Sequence, residues 1–179
     1  MNRFAIPLGV FGLLVIIFGV TLWRTPETPV VTSALIGKPA PIFTLPDLLQ
    51  PGSTVTNESF KGRWYLINVW GTWCVACRQE HGVLLEIQRE GKVAVLGLDY
   101  PGDEPNEDVK ARQWLQELGN PYEAVAYDHE GRVGIDYGVY GAPENFLVNP
   151  QGIIVKKWFG LTTESWNAGR KEFLEGAGK

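Results

Sequence analysis

The chain has 179 residues with 16 basic and 20 acidic side chains, a net charge of −4, and its 14 basic residues beyond position 24 face all 20 acids. An acidic balance without a basic stripe argues against nucleic acid as a partner. Two cysteines and two histidines, His81 and His129, supply neither a second cysteine pair for a zinc site nor enough bridges for a stapled scaffold.

Residues 4–23 form a run of 20 without a charge. As a helix this run is about 30 Å long, the hydrocarbon thickness of a bilayer. Arg3 precedes it and Arg24, Pro26 and Glu27 follow, a slight bias toward a cytoplasmic N-terminus. A cleavable signal has an apolar core of only about 7 to 15 residues, and the nearest small-x-small pattern, Thr32-Ser33-Ala34, lies well past the end of the run. A retained single-pass anchor over residues 1–24 is therefore expected, with the remainder exported. Residues 25–36 carry Pro26, Pro29 and several Thr, the composition of an extended linker. Residues 37–179 then have the length of one domain.

Within that domain, residues 42–45 and 54–56 read as short N-terminal strands. A strand at 65–70, a helix at 74–89, a strand at 93–98 and a helix at 106–118 form successive βα units, which predict a parallel centre with helices on both faces. Asn120-Pro121 ends the second helix, and 123–127 forms a further strand. The turn Asn149-Pro150-Gln151-Gly152 joins strands at 145–148 and 153–158 into a hairpin. Thr162 or Thr163 caps a last helix running to about residue 174.

Both cysteines lie in Cys74-Val75-Ala76-Cys77, directly after the apolar strand and the turn Gly71-Thr72-Trp73. A bond closing so small a loop contributes about 2 kcal/mol, less than a long-range bridge would. Chemistry explains the pair better than stability does. Haem attachment needs His after the second cysteine, where Arg78 stands. At a helix start the dipole favours a thiolate, so the pair reads as a dithiol/disulfide redox centre. Cys74, at the helix start, is expected to be the exposed nucleophile, and Cys77, one turn deeper, the resolving thiol.

This order of elements resembles the thioredoxin fold over about 140 residues, here with a central βα insertion between residues 100 and 128 and additional N-terminal strands. The segments Asn68-Val69-Trp70-Gly71-Thr72-Trp73-Cys74 with Cys77-Arg78 and Glu80-His81, Leu118-Gly119-Asn120-Pro121-Tyr122, and Gly138-Val139-Tyr140-Gly141-Ala142-Pro143-Glu144 narrow the resemblance. They are similar to the membrane-anchored thiol:disulfide interchange proteins of cytochrome c maturation, the CcmG/DsbE type. The resemblance implies an inner-membrane protein with its catalytic domain in the periplasm, reducing apocytochrome c cysteines. It implies a membrane thiol-reductant transporter as electron donor and apocytochrome c or a thiol protein of the maturation machinery as acceptor. No cofactor beyond the Cys74–Cys77 pair is expected.

The same resemblance makes Ala142-Pro143 a cis-proline loop that docks a substrate strand opposite the disulfide. Trp73 is either a wall of that docking groove or a packing residue. Val75-Ala76 departs from the family, which more often has Pro after the first cysteine. Asn68 stands where thioredoxins carry a buried Asp that helps deprotonate the resolving thiol. Glu80, three residues after Cys77 on the same helical face, and Glu144, after the loop proline, either assist proton transfer and tune the thiols or are solvated surface acids. His81 reads as packing rather than shuttle. Two rival functions stay open: an exported reductant or oxidant of another disulfide substrate, and a non-enzymatic module that docks apocytochrome.

Overall fold

The computed structural model describes residues 4–24, 33–100, 102 and 105–175, with the side chains of residues 5, 22–24 and 175 outside that description. The expected linker lies largely outside the described residues. The chain divides into two compact units, residues 1–32 and 33–179.

The first unit contains the helix α1, Ala5–Arg24, in which residues 6–20 are uncharged and apolar. Ile6, Leu8, Phe11, Ile16 and Phe18 are all exposed on it. Side chains are described from residue 6 to residue 21, about 24 Å of helix. Among the described residues no helix is long and apolar enough to cross a membrane, so the fold by itself does not establish the expected anchor.

The second unit is a five-stranded mixed sheet. Its strands are β3 (Tyr65–Trp70), β4 (Ala94–Asp99), β5 (Ala124–Tyr127), β6 (Glu144–Val148) and β7 (Ile154–Phe159), in the order β5-β4-β3-β6-β7. Strands β3, β4 and β5 are parallel, and β6 and β7 are antiparallel additions. β3 is buried along its whole length, as its mostly apolar run requires of a central strand, with Asn68 the one polar side chain in it. The short strands β1 (Thr44–Pro46) and β2 (Thr54–Thr56) pair with each other in a separate two-stranded sheet.

Helix α2, Val75–Glu90, follows β3, and α3, Glu107–Leu118, follows β4. Two successive right-handed crossovers that step in the same direction put both helices on the same face. Leu84 and Ile87 of α2 and Ala111, Trp114 and Leu115 of α3 thus join Leu66, Trp70, Val95 and Val125 in one core, together with Trp166 of the helix α5, Thr163–Arg170. The opposite face is covered by Phe43, Val55, Phe60 and the five-residue helix α4, Arg132–Asp136, which the sequence pattern did not reveal. Helices do occupy both faces, but all the longer ones share one. α3 and β5 lie in the stretch where the insertion was expected, and α5 ends sooner than expected, passing at residue 171 into a wider helical turn that runs to residue 175.

Candidate active site

The turn Gly71-Thr72-Trp73 leads from the end of β3 into α2, and Cys74 is the N-cap of that helix, with extended backbone. A disulfide joins Cys74 to Cys77 with an S–S distance of 2.07 Å. The Cys74 Sγ accepts the Cys77 N–H at 3.0 Å. In the reduced protein the same donor and the α2 dipole favour a thiolate at this position. Cys74 was expected to be exposed, yet in the disulfide form it is 4% accessible and Cys77 2%. Val75 and Ala76 between them face solvent.

Trp73 is exposed and lays its indole over the turn, its Nε1 donating to the Tyr100 carbonyl at 3.3 Å. A Cβ on Gly71 would lie 2.4 Å from that indole nitrogen, so this close approach needs glycine.

Glu80 is not a surface acid. It is 3% exposed and turned into the core. Its Oε1 accepts from Asn68 Nδ2 at 2.7 Å, and its Oε2 accepts from Asn145 Nδ2 at 3.1 Å and from the Leu161 N–H at 2.7 Å. Asn68 also donates to Asn145 Oδ1 at 2.9 Å and accepts from the Tyr122 hydroxyl at 2.7 Å. Asn68 and Asn145 are register partners on β3 and β6, so one sheet face presents both amides to α2. Burial raises the Glu80 carboxyl to about 7 against the opposing pull of Asn145, Asn68 and Leu161. A carboxyl near neutrality, one helical turn from Cys77, is suited to taking and returning a proton. Sequence reasoning missed Asn145, Tyr122 and the Leu161 amide, because only the sheet register and the return of β7 toward α2 bring them to Glu80.

Glu144 is placed elsewhere. It is adjacent to Asn145 on β6 and therefore points to the other face of the sheet. There it pairs with Lys157 Nζ at 2.7 Å, both side chains almost fully buried. Its Oε1 accepts the Tyr140 N–H at 3.0 Å, and Lys157 also donates to the Gly138 carbonyl at 3.1 Å. The pair pins the two ends of the loop that precedes Pro143. The structure does not bring it together with Glu80.

The Ala142-Pro143 bond is cis. Pro143 lines a cleft beside the α2 start together with Ala76, Gln79, Phe159, Leu161 and Thr162. Trp73 lies instead on another depression, with Arg78 and Trp114, whose ring Arg78 covers at 4.2 Å. His81 donates to the Gly119 carbonyl at 2.9 Å, and burial lowers its pKa, which fits a packing role. The chemistry of the site is dithiol exchange with a buried acid behind it.

A family model described as Redoxin matches residues 35–164. The thiol:disulfide interchange protein DsbE of Pseudomonas aeruginosa is 42% identical over 160 residues, 89% of this chain and 84% of that protein. The chain belongs to the DsbE family of thiol:disulfide interchange proteins. The DsbE of Yersinia pestis is 48% identical over 153 residues, covering 83% of this chain and 79% of its own length. Among solved structures, the thioredoxin domain of a thiol-disulfide oxidoreductase from Bacteroides vulgatus superposes with a TM-score of 0.64 at 27% identity, covering 78% of this chain and 99% of that one. A DsbF homologue from Corynebacterium diphtheriae shares the fold at a TM-score of 0.67 and 18% identity, over 83% and 98% of the two chains. As a DsbE-family redoxin with its two cysteines bonded at a helix start, the protein is a thiol:disulfide oxidoreductase. A purely docking role is thereby set aside.

Proposed function

We propose that this protein is a membrane-tethered reductant in the periplasm that keeps the haem-binding cysteines of apocytochrome c as dithiols before haem attachment. The observation that carries the reading is the Cys74–Cys77 pair at the start of α2, backed by buried Glu80 and flanked by the Pro143 cleft. The substrate rests on the resemblance of the motifs around Asn68–His81 and Gly138–Glu144 to the cytochrome c maturation branch. The Cys74 thiolate attacks a disulfide of apocytochrome c, forming a mixed disulfide and releasing one substrate thiolate. Cys77, deprotonated with Glu80 as acceptor, attacks Cys74; the second substrate thiol leaves, and the protein holds the disulfide. A membrane thiol transporter returns two electrons. Ala142 and Pro143 receive the substrate strand.

The tether is α1. The support for it is the sequence, whose uncharged run over residues 4–23 would span about 30 Å as a helix. The test is to trap partners of a Cys77→Ser variant of the full chain in cells. Mixed disulfides containing apocytochrome c are expected, absent from Cys74→Ser. Partners without any apocytochrome, or equal trapping by both variants, would overturn the reading.

A further inference from the structure

The segment Leu118-Gly119-Asn120-Pro121-Tyr122 has no part in thiol exchange as described, yet it delivers one side chain to the acid behind the redox pair. α3 ends at Leu118, and the Asn120 side chain turns the backbone by accepting the Tyr122 N–H at 2.9 Å. Tyr122 is 5% exposed and stacks on Trp70, the ring centres 5.3 Å apart. On β4 the register partner of Asn68 is Gly97, and a Cβ there would lie 3.1 Å from the Tyr122 ring, so the absence of a side chain leaves the ring its room.

The Tyr122 hydroxyl donates to Asn68 Oδ1 at 2.7 Å, its one partner among the described residues. Asn68 Nδ2 donates on to Glu80 Oε1 at 2.7 Å and to Asn145 Oδ1 at 2.9 Å, and Asn145 Nδ2 donates to Glu80 Oε2 at 3.1 Å. One hydroxyl thus orders two amides in series, both with N–H groups toward the acid. An ionised carboxylate takes only donors, whereas a protonated one also needs an acceptor for its hydrogen. Turning the Asn68 amide would supply that acceptor, but it would set Nδ2 against the Tyr122 hydroxyl and leave the hydroxyl hydrogen buried without a partner. No cation offsets the charge of Glu80: burial and its hydrogen bonds to Asn145, Asn68 and Leu161 set its titration. α2 itself brings Cys77 and His81, the latter bonded to the Gly119 carbonyl; β3 and β6 bring only the neutral amides; Glu164 at the start of α5 lines the same cleft but is exposed. Lys157 and Glu144 pair on the other face of the sheet. Asp99, at the end of β4, acts on Tyr122 by its charge, but neither of its oxygens accepts a hydrogen bond.

We propose that Tyr122 is a positioning residue for Glu80 and acts through Asn68: its hydroxyl fixes the two amides so that N–H groups, not oxygens, face the carboxylate. The inference rests on Glu80 as the proton acceptor of Cys77. Tyr122 denies the protonated carboxyl an acceptor, and so keeps Glu80 able to ionise near neutral pH in spite of its burial. With Phe in its place, neither orientation of Asn68 is favoured from that side. The amide then turns to accept the carboxyl proton, and Glu80 holds that proton to higher pH.

The test titrates Glu80 by 13C carboxyl NMR in the full-length protein, its signal identified by its absence from Glu80→Gln, beside pH–rate profiles on a peptide disulfide. In Tyr122→Phe the Glu80 midpoint is expected to rise by about one pH unit, and the acid limb of the rate to move up with it. A rate lowered at every pH with an unmoved midpoint, the mark of a loosened core, would overturn the proposal, as would a lower midpoint. A higher midpoint with an unmoved limb would support the positioning by Tyr122 and overturn Glu80 as the proton acceptor instead. The wild type supplies a second measurement that needs no variant to fold. The side-chain amide hydrogens of Asn68 are expected to stay protected from exchange with deuterium on both sides of the Glu80 midpoint. Loss of that protection as Glu80 gains its proton would mean that the amide turns with Tyr122 in place, and the proposal would fall.

Discussion

Glu80 combines an environment built for its charged form, with hydrogen bonds to both oxygens, and a burial that resists charging it. The carboxyl titrates near 4.5 when unfolded and near 7 in the native protein. Below pH 4.5 both states hold the proton; between 4.5 and 7 only the native state does, so stability is fully present at the acid end and is lost as pH rises toward 7. A shift of this size corresponds to about 3 kcal/mol. Urea unfolding at pH 5 and pH 8 should therefore show a fall in stability that Glu80→Gln largely abolishes; an equal fall in the variant would assign it to other groups. Ionised Glu80 also opposes a thiolate at the redox pair. The same variant should lower the Cys74 pKa and make the reduction potential more oxidising, by about 30 mV for each 1.4 kcal/mol of charge repulsion removed. Thiolate absorbance and equilibration with glutathione read the two effects, and a shift toward a more reducing potential would reverse the electrostatic account. At Glu144 the expected loss is structural. Lys157 lies 4.8 Å from the Phe159 ring centre and 4.9 Å from that of Phe146, closed in with its carboxylate. Lys157→Met leaves that charge buried alone and should cost about 3 to 5 kcal/mol in denaturant unfolding. Adding Glu144→Gln should recover most of the loss, and no recovery would mean that the aromatic packing, not the charge, was lost.

At the scale of elements, the site is a strand end, a turn and a helix start held from three directions. Glu107 of α3 holds Thr72, the Tyr100 carbonyl holds Trp73, and Glu80 of α2 holds the Leu161 amide after β7. Gly71→Ala would drive a methyl group into the Trp73 indole. We expect a stability loss of about 1 to 3 kcal/mol for such overpacking, with a several-fold rise in KM for a peptide disulfide as Trp73 moves. Unchanged KM would show that Trp73 packs on the turn without contributing to docking. The strand, turn and helix order was legible because apolar runs, helical spacing and the Asn149–Gly152 turn are local signals. α4 was not, since five residues span little more than one helical turn and leave no periodic stripe. The sharing of one face by α2 and α3 follows from crossover direction, which depends on strand order.

At the scale of the whole molecule, residues 33–179 form a compact unit with both of its cores internal to it. A chain lacking residues 1–32 should keep the midpoint of thermal unfolding within about 2 °C and the reductase rate on a soluble peptide disulfide, because among the described residues every member of either core lies beyond position 32. A large drop in either would show that the first unit supports the fold. The amino-acid sequence by itself determined the redox pair, its place at a helix start, the order of the strands and longer helices of the domain, and the family. Each of these is written in residues a few positions apart, where spacing alone sets geometry. Tertiary structure decided what surrounds the pair. Asn68 and Asn145 meet across 77 positions and Glu80 and Leu161 across 81. The parity of one strand sends Asn145 toward Glu80 and its neighbour Glu144 toward Lys157. Burial, and with it the upward shift of the Glu80 and Asp99 carboxyls, exists only once those distant segments have closed over them.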